Sequence, residues 1–276
     1  MVGRIVEEAL EKIKPLIPEL DTITVRQVVL GLGYTAVRLS SGHSGLCYTF
    51  QNEIAHATRH CQVSDLAGTL AGSSAMELAQ KAKSWEISES VVGFAALNAL
   101  SQIAMGRQPE NYEVLDGDVL GYLGLTENDV AAMVGYIGPM VGSIRAKVKK
   151  LSILERTPSR RDEGILPDTA CDQILPAADA VLITGTAIAN GTIDHLLSLT
   201  TNAREIAIIG ASAGILPQVL FDRGVTVVGS VKVTDPDKMM QVVAEGGGTP
   251  ALKAAVQFIS IKPKSKTQLP KEVVKQ

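Results

Sequence analysis

Short polar residues at the end of an apolar run are the feature of this sequence that points most directly to chemistry. Residues 180–183 are the apolar run Ala-Val-Leu-Ile, as in a buried strand, and residues 184–186 are Thr-Gly-Thr. Asn190 and Thr192 follow, just before an amphipathic segment. In open parallel sheets, ligands bind at the carboxyl ends of strands, where backbone N–H groups and short polar side chains meet at a helix start. We therefore predict that Thr186, Asn190 and Thr192 contact a ligand.

Two further strand ends carry residues typical of nucleotide sites. Gly135 and Gly138 flank Tyr136 after another predicted strand, and they form part of the dinucleotide-binding glycine pattern without completing it. Glu155 ends the next predicted strand, near the position where dinucleotide-binding folds hold the ribose with an acidic residue. These four residues are predicted ligand contacts. An ion pair with a neighbouring arginine is the alternative for Glu155.

Three polar residues have both a functional and a structural interpretation. Ser212 and Asp235 lie in loops after two later predicted strands, so each can contact a ligand or cap the helix that follows. Asn98 lies in a segment that is apolar on most sides, and a buried amide there needs a hydrogen-bond partner. That partner is either neighbouring backbone or a ligand in a cleft. All three remain candidate ligand-binding residues.

Imidazole and thiol side chains cluster in the first quarter of the chain, which suggests a metal site. The candidate metal ligands are His43, Cys47, His56, His60 and Cys61. His56 and His60 are four positions apart, so on a helix they share one face and can bind the same ion. The sequence contains no C-x-x-C or H-E-x-x-H motif, and the alternative is a set of surface histidines beside a buried thiol. The remaining histidine, His195, is expected to face solvent from a helix.

The candidate residues are spread over two predicted domains. Aromatic residues make up 4% of the chain and hydrophobic residues 46%, so the core must be aliphatic, which favours layers of sheet and helix. The pattern of residues 1–125 predicts an antiparallel meander followed by helices, an α+β domain. Residues 126–262 alternate strand and helix, which predicts a parallel sheet with right-handed crossovers. Residues 263–276 are predicted to form a solvated basic tail.

Composition argues against several classes of partner. The net charge is −3, basic residues form no large patch, and few aromatic residues are present to stack on bases, so we expect no nucleic-acid binding. Apolar runs of about ten residues are too short to cross a bilayer. The amphipathic N-terminus is unlike a signal peptide, and three scattered cysteines do not form a disulfide framework. We therefore expect a cytoplasmic protein with free thiols. Whether it forms a small homo-oligomer stays open.

The sequence resembles a known family, named for "putative heavy-metal chelation", over nearly its whole length. The segments that carry the resemblance are Ser84-Trp85, residues 92–99, 134–138, 154–156, 166–168, 174–176, 178–186, 190–192 and 203–205, Gly210, Pro217, Gly224-Val225 and Asp235-Pro236. The resemblance implies an N-terminal domain like that of enolase and a C-terminal Rossmann-like domain with helices on both faces of its sheet. It also implies a functional cleft between the domains. The expected fold class is therefore α/β.

Three functions fit these residues, and whether the protein is an enzyme stays open. In the first, the cleft binds a metal ion or a small metal-chelating metabolite. The oxygen donors predicted there suit magnesium or manganese, whereas a soft metal would prefer the thiols and imidazoles of residues 43–61. In the second, the Rossmann-like domain of an enzyme binds an adenosine-containing cofactor through Glu155. In the third, the protein is a non-catalytic module that senses a metabolite.

Overall fold

The computed structural model describes residues 3–56, 64–162 and 164–264, which form two β-sheets and the helices that pack on them. The strands are β1 (Val25–Leu30), β2 (Tyr34–Leu39), β3 (Ser44–Tyr48), β4 (Tyr112–Asp116), β5 (Val130–Val134), β6 (Lys150–Glu155), β7 (Ile165–Pro167), β8 (Ala180–Thr184), β9 (Glu205–Ile209), β10 (Val227–Val233) and β11 (Val256–Pro263). The helices are α1 (Arg4–Ile13), α2 (Gln51–His56), α3 (Ala75–Gln80), α4 (Ile87–Gly106), α5 (Gly138–Arg145), α6 (Cys171–Ile174), α7 (Thr186–Ala189), α8 (Ile193–Ser198), α9 (Gln218–Phe221), α10 (Pro236–Ala244) and α11 (Thr249–Leu252).

The first sheet is the predicted antiparallel meander, in the order β1-β2-β3. Helix α4 packs across β2 and β3, and α3 packs against α4. The side chains of α4 are apolar around most of the helix, so it is buried on nearly all sides rather than on one stripe. Length and composition alone would allow α4 to cross a membrane, but 78% of the apolar window is buried inside the protein, as in a core helix.

The second sheet has eight strands in the order β4-β11-β10-β9-β8-β5-β6-β7. The six strands from β10 to β7 run parallel. The chain passes from β5 to β6 and β7 on one side, and then builds β8, β9 and β10 on the other side of β5. This is the strand order of Rossmann folds. The predicted α/β fold, with a small antiparallel sheet and a larger parallel sheet, is confirmed.

Three strands were not predicted from the sequence. Strand β7 has only three residues, and β4 and β11 extend the parallel sheet at the β10 edge in antiparallel orientation. Although β4 lies within residues 1–125, it pairs with β11 in the larger sheet. The domain boundary near residue 125 stays a prediction. Of the predicted tail, residues 263–276, only residues 263 and 264 belong to the described residues, and Pro263 is the last residue of β11.

An ion pair links helix α1 to α9, which packs on the larger sheet. The guanidinium of Arg223, just after α9, donates hydrogen bonds to both carboxylate oxygens of Glu8 at 2.8 and 2.9 Å. These hydrogen bonds hold the pKa of Glu8 below its usual range. A bidentate pair of this kind fixes direction as well as distance, so it orients α1 on the larger sheet.

The contact between β3 and α4 requires a residue without a side chain at Gly45. A Cβ atom at this position would lie 2.2 Å from the carbonyl oxygen of Ala95 and 2.5 Å from the amide nitrogen of Ala99. Both atoms belong to the backbone of α4, so relief requires the helix to move away from the sheet. We predict that Gly45→Ala lowers the free energy of unfolding by about 2–3 kcal/mol, measured by urea denaturation.

Gly142→Ala in α5 is the matched control, because a Cβ atom there meets no heavy atom within 4 Å. This substitution should leave stability unchanged or raise it by about 0.5 kcal/mol. Equal stability of the Gly45 and Gly142 variants would contradict the close approach of α4 to β3 at Gly45.

Candidate functional site

A cavity of about 880 Å³ opens at the carboxyl ends of the parallel strands. One wall consists of Tyr34, Tyr48 and Phe50, from the end of the first sheet. Neighbouring rings of this wall meet edge to face, with centroids 6.2 and 5.5 Å apart. Other walls consist of the loops after β5, β6, β8 and β9 and of residues 229–231 within β10. The volume lies within the range of pockets that hold small organic ligands, about 300–1,000 Å³.

The loops after β5 and β8 meet at the point where the strand order reverses. Gly135 directly follows β5 and has a φ of +85°, a conformation that L side chains rarely adopt. A Cβ atom at Gly135 would also lie 2.6 Å from Cγ2 of Thr184, at the end of β8. Glycine therefore lets the two strand ends approach each other, and both residues line the cavity. Open α/β sheets bind their ligands at this position.

Glu155 lies at the end of β6, beside the loop that follows β5. Its side chain is buried, with 7% exposed, and it lines the cavity. One carboxylate oxygen accepts a hydrogen bond from the Tyr136 N–H at 2.9 Å, and the other accepts one from the Thr157 N–H at 2.8 Å. The partners are thus backbone amides rather than the arginine that the structural alternative required. The carboxylate fixes the loop that carries Tyr136.

Two hydrogen-bonded pairs of polar side chains lie at the end of β8 and in the loop that follows it. The hydroxyl groups of Thr184 and Thr186 are 3.0 Å apart. The Asn190 side-chain oxygen accepts hydrogen bonds from the Thr192 hydroxyl at 2.7 Å and the Thr192 N–H at 3.2 Å. All four residues line the cavity, so this wall presents an ordered set of neutral polar groups.

Ser212 contributes to the cavity wall and also joins the two sheets. Its hydroxyl oxygen accepts a hydrogen bond from the Tyr48 N–H at 2.9 Å. Ser230, which the sequence did not single out, lies nearby on β10 and lines the same cavity. The Ser230 hydroxyl is buried, and it has no hydrogen-bond partner among the residues that the structure describes. An unpartnered hydroxyl in a cavity wall is available to a ligand.

Three predicted ligand-binding residues do not line the cavity. Asn98 donates a hydrogen bond to the Leu46 carbonyl oxygen at 2.7 Å, which is the backbone alternative given for it. Asp235 caps α10 by accepting a hydrogen bond from the Lys238 N–H at 2.9 Å. Gly138 is the first residue of α5. The other seven predicted residues share the cavity: Gly135, Tyr136, Glu155, Thr186, Asn190, Thr192 and Ser212.

The predicted histidine and cysteine cluster is only partly visible. The His43 ring lies 3.2 Å from the Ser41 hydroxyl, in a smaller cavity of about 300 Å³. Burial raises the pKa of the Cys47 thiol to about 12, so this thiol stays protonated in the core. Helix α2 ends at His56, and both His60 and Cys61 lie outside the described residues. A metal role for these five residues therefore stays a prediction.

A different group of possible metal ligands lies at the cavity wall. In the described ranges, the one set of three such side chains within 4.8 Å of each other is Cys171, Asp172 and His195. His195 was expected to face solvent, and its side chain is 56% exposed. Its ring also pairs with Asp172, and both His195 and Cys171 line the cavity.

Comparison with protein families agrees with this architecture. A family model described as "Putative heavy-metal chelation" matches residues 118–262, more than half of the chain. A second model with the same description matches residues 13–101. The chain belongs to this heavy-metal chelation family. The resemblance stated from the sequence is confirmed.

Relatives of this family are known as sequences and as structures. An uncharacterized protein of Methanocaldococcus jannaschii is 34% identical over 167 residues, a match that spans 59% of this chain and 62% of the relative. A crystal structure from Pyrococcus horikoshii, of unknown function, is 26% identical with a TM-score of 0.78, covering 95% of this chain and 99% of that one. Another of unknown function, from Desulfitobacterium hafniense, is 26% identical with a TM-score of 0.72, covering 93% and 98%. The family's fold is therefore shared along almost the whole chain.

The two hydrogen bonds of Glu155 lead to a prediction about stability. Glu155→Ala removes two charge-assisted hydrogen bonds to backbone amides, which should lower the free energy of unfolding by about 2–3 kcal/mol in urea denaturation. Glu113→Ala, at an exposed position on β4, is the control and should change stability by less than about 0.5 kcal/mol. A Glu155→Ala protein as stable as wild type would contradict the role of this carboxylate in holding the loop.

Proposed function

We propose that the protein binds a small metal-chelating metabolite in a cleft between its two domains, formed by the cavity at the β5–β8 switch point. The observation that carries this proposal is the meeting of seven predicted ligand-binding residues in one cavity of about 880 Å³. The family's description supports a metal-related ligand. The third alternative, a non-catalytic sensor, would use the same cavity.

The size and lining of the cavity favour an organic metabolite over a bare ion. An ion needs only oxygen donors about 2.0–2.6 Å from its centre, whereas the volume of this cavity lies in the range of pockets that hold small organic ligands. Much of the wall is apolar, including the rings of Tyr34, Tyr48 and Phe50. Such a wall can cover the carbon skeleton of a metabolite and contributes little to an isolated ion.

The cavity wall carries both basic and acidic side chains, and two of the basic groups are free to bind an anionic ligand group. Arg156 pairs with Asp168 at 3.0 Å, while Arg160 and Lys253 line the cavity without an ion-pair partner among the described residues. Glu53, Asp118 and Glu155 also line the cavity, and the Glu155 carboxylate already accepts two backbone hydrogen bonds. Metal-chelating metabolites commonly bind metal through carboxylate or catecholate oxygens, and those groups complement guanidinium and ammonium groups.

An adenosine-containing cofactor is the second candidate, and one observation favours it. Glu155 lies at the end of β6 beside the Gly135 loop of β5, the relative position of the ribose-binding acid in Rossmann folds. Each of its carboxylate oxygens accepts one backbone hydrogen bond and keeps a lone pair for a ribose hydroxyl. Both candidates would occupy the same cavity and therefore compete.

The cellular compartment of the protein is part of the same proposal. Cys47 and Cys171 are free and buried in the described structure, which suits a reducing compartment. We therefore place the protein in the cytoplasm, with a small molecule or metal complex as its ligand.

Tyr136 provides a test because its ring lines the cavity while 37% of the residue is exposed. Native mass spectrometry of protein purified without chelators should show a bound organic molecule. Citrate and 2,3-dihydroxybenzoate, each with and without ferric ion, then serve as probes in calorimetric titration. We predict that at least one probe binds, and that Tyr136→Ala weakens its binding about tenfold, or about 1.4 kcal/mol.

Trp85→Ala is the matched control, since Trp85 is 78% exposed and does not line the cavity. It should bind the probe as wild type does. Absence of a co-purified molecule together with failure of every probe would refute the proposal. If ATP, NAD or S-adenosylmethionine binds instead and Glu155→Gln abolishes that binding, the cofactor candidate replaces it. Glu155→Ala is less suitable here because it removes both backbone hydrogen bonds of the loop, whereas Glu155→Gln keeps one acceptor oxygen.

A further inference from the structure

Three side chains at the edge of the cavity combine sulfur, nitrogen and oxygen donors. Cys171 and Asp172 begin α6, and His195 lies on α8. The Cys171 thiol donates a hydrogen bond to Asp172 Oδ2 at 3.3 Å. Nε2 of His195 lies 3.2 Å from Asp172 Oδ1, and all three donor groups lie within 4.8 Å of one another. Asp172 and His195 are exposed, whereas Cys171 is 7% exposed.

Two of the three donor separations match the edges of a tetrahedral metal site. Zinc binds cysteine sulfur at about 2.3 Å and histidine nitrogen or carboxylate oxygen at about 2.0–2.1 Å, which puts neighbouring donors of a tetrahedron about 3.3–3.6 Å apart. Measured to the same carboxylate oxygen, Asp172 Oδ2, the separations are 3.3 Å for the Cys171 sulfur and 3.5 Å for Nε2 of His195, which are close to those edges. Small side-chain rotations would therefore suffice to surround an ion.

The donor set also fits the charge and preference of one class of metal. A thiolate, a carboxylate and a neutral imidazole carry a total charge of −2, which balances a divalent cation. Thiolate and imidazole prefer zinc, cobalt, cadmium and similar ions over magnesium or calcium. Metal binding requires the Cys171 thiol to lose its proton, which passes to solvent as the metal–sulfur bond forms.

We propose that Cys171, Asp172 and His195 form a binding site for a soft or borderline divalent cation of the zinc class, with its fourth coordination position open to the cavity. Cys171 and His195 both line the cavity, so a water molecule or a ligand in the cavity can occupy that position. Three protein ligands and one exchangeable position are typical of reactive zinc sites rather than structural ones. The inference goes beyond the proposed function, because it requires no metabolite.

Cobalt is a suitable probe, since a thiolate bound to Co²⁺ gives a sulfur-to-metal charge-transfer absorption. Titrating the reduced full-length chain with Co²⁺ should produce this band in proportion to bound metal, and calorimetry should show displacement by Zn²⁺. Cys171→Ser should abolish the band. Asp172→Asn and His195→Gln should weaken Zn²⁺ binding at least about 100-fold, because loss of even an outer-sphere partner costs 10–100-fold.

Two controls separate this site from the other histidines and cysteines. His43→Gln, and a variant combining His56→Gln, His60→Gln and Cys61→Ser, should keep the cobalt band and the Zn²⁺ affinity. Loss of the band in the combined variant, with its retention in Cys171→Ser, would overturn the proposal. So would a chain with no charge-transfer band at all.

A third control distinguishes this inference from the proposed function. Tyr136→Ala should bind Zn²⁺ as wild type does, whereas it should lose affinity for the chelating metabolite. Since Asp172 and His195 are exposed, their variants should remain folded by circular dichroism, so weakened metal binding would report on ligation. Unchanged Zn²⁺ affinity in both variants would show that Asp172 and His195 form only an ion pair.

Discussion

The reversal of strand order between β5 and β8 is the constraint on which the candidate site depends. Right-handed crossovers place the helices that follow these strands on opposite faces of the sheet. Met140 of α5 packs with Leu182 in one apolar cluster, whereas Ile188 and Ile193, from α7 and α8, pack with Ile183 in another. Because the helices diverge, the carboxyl ends of β5 and β8 stay open to the cavity. The cavity is therefore a result of topology, and its chemistry depends on the loops around it.

The first sheet closes this opening because it shares a core with one face of the larger sheet. Phe94 and Leu97 of α4 belong to the same apolar cluster as Ile183 of β8. Buried polar contacts then fix the position of β3, through Asn98 to the Leu46 carbonyl oxygen and through the Tyr48 N–H to Ser212. These polar residues hold the aromatic wall in place. Mutations far from the cavity can consequently change its shape.

Local sequence signals predicted which segments form strands better than they predicted which strands pair with each other. The apolar runs ending in Thr184 or Gly135 identify buried strands and their polar ends, and parallel topology brings those ends together. Strands β4 and β11 were missed because their pairing joins residues far apart in sequence. A loop residue also gives no local sign of whether it caps a helix or faces a cavity. Asp235 caps α10, whereas Ser212 lines the cavity, although both follow a strand.

The same limit explains why the sequence did not point to Cys171, Asp172 and His195 as a group. His56 and His60 attract attention because they are four positions apart, whereas Cys171 and His195 have no periodic relation and come together only in the folded chain. Tertiary contacts also separate the oxygen groups of the site from its sulfur and nitrogen donors. The oxygen groups after β8 already bond to each other, Thr184 to Thr186 and Asn190 to Thr192, which makes them weak ligands for an ion and suitable partners for an organic molecule. The sulfur and nitrogen donors lie at the edge of the same cavity, where a metal could bind to the protein and to that molecule together. A protein with this division would recognise a metal and its chelator by separate sets of contacts, and neither set alone would define the specificity.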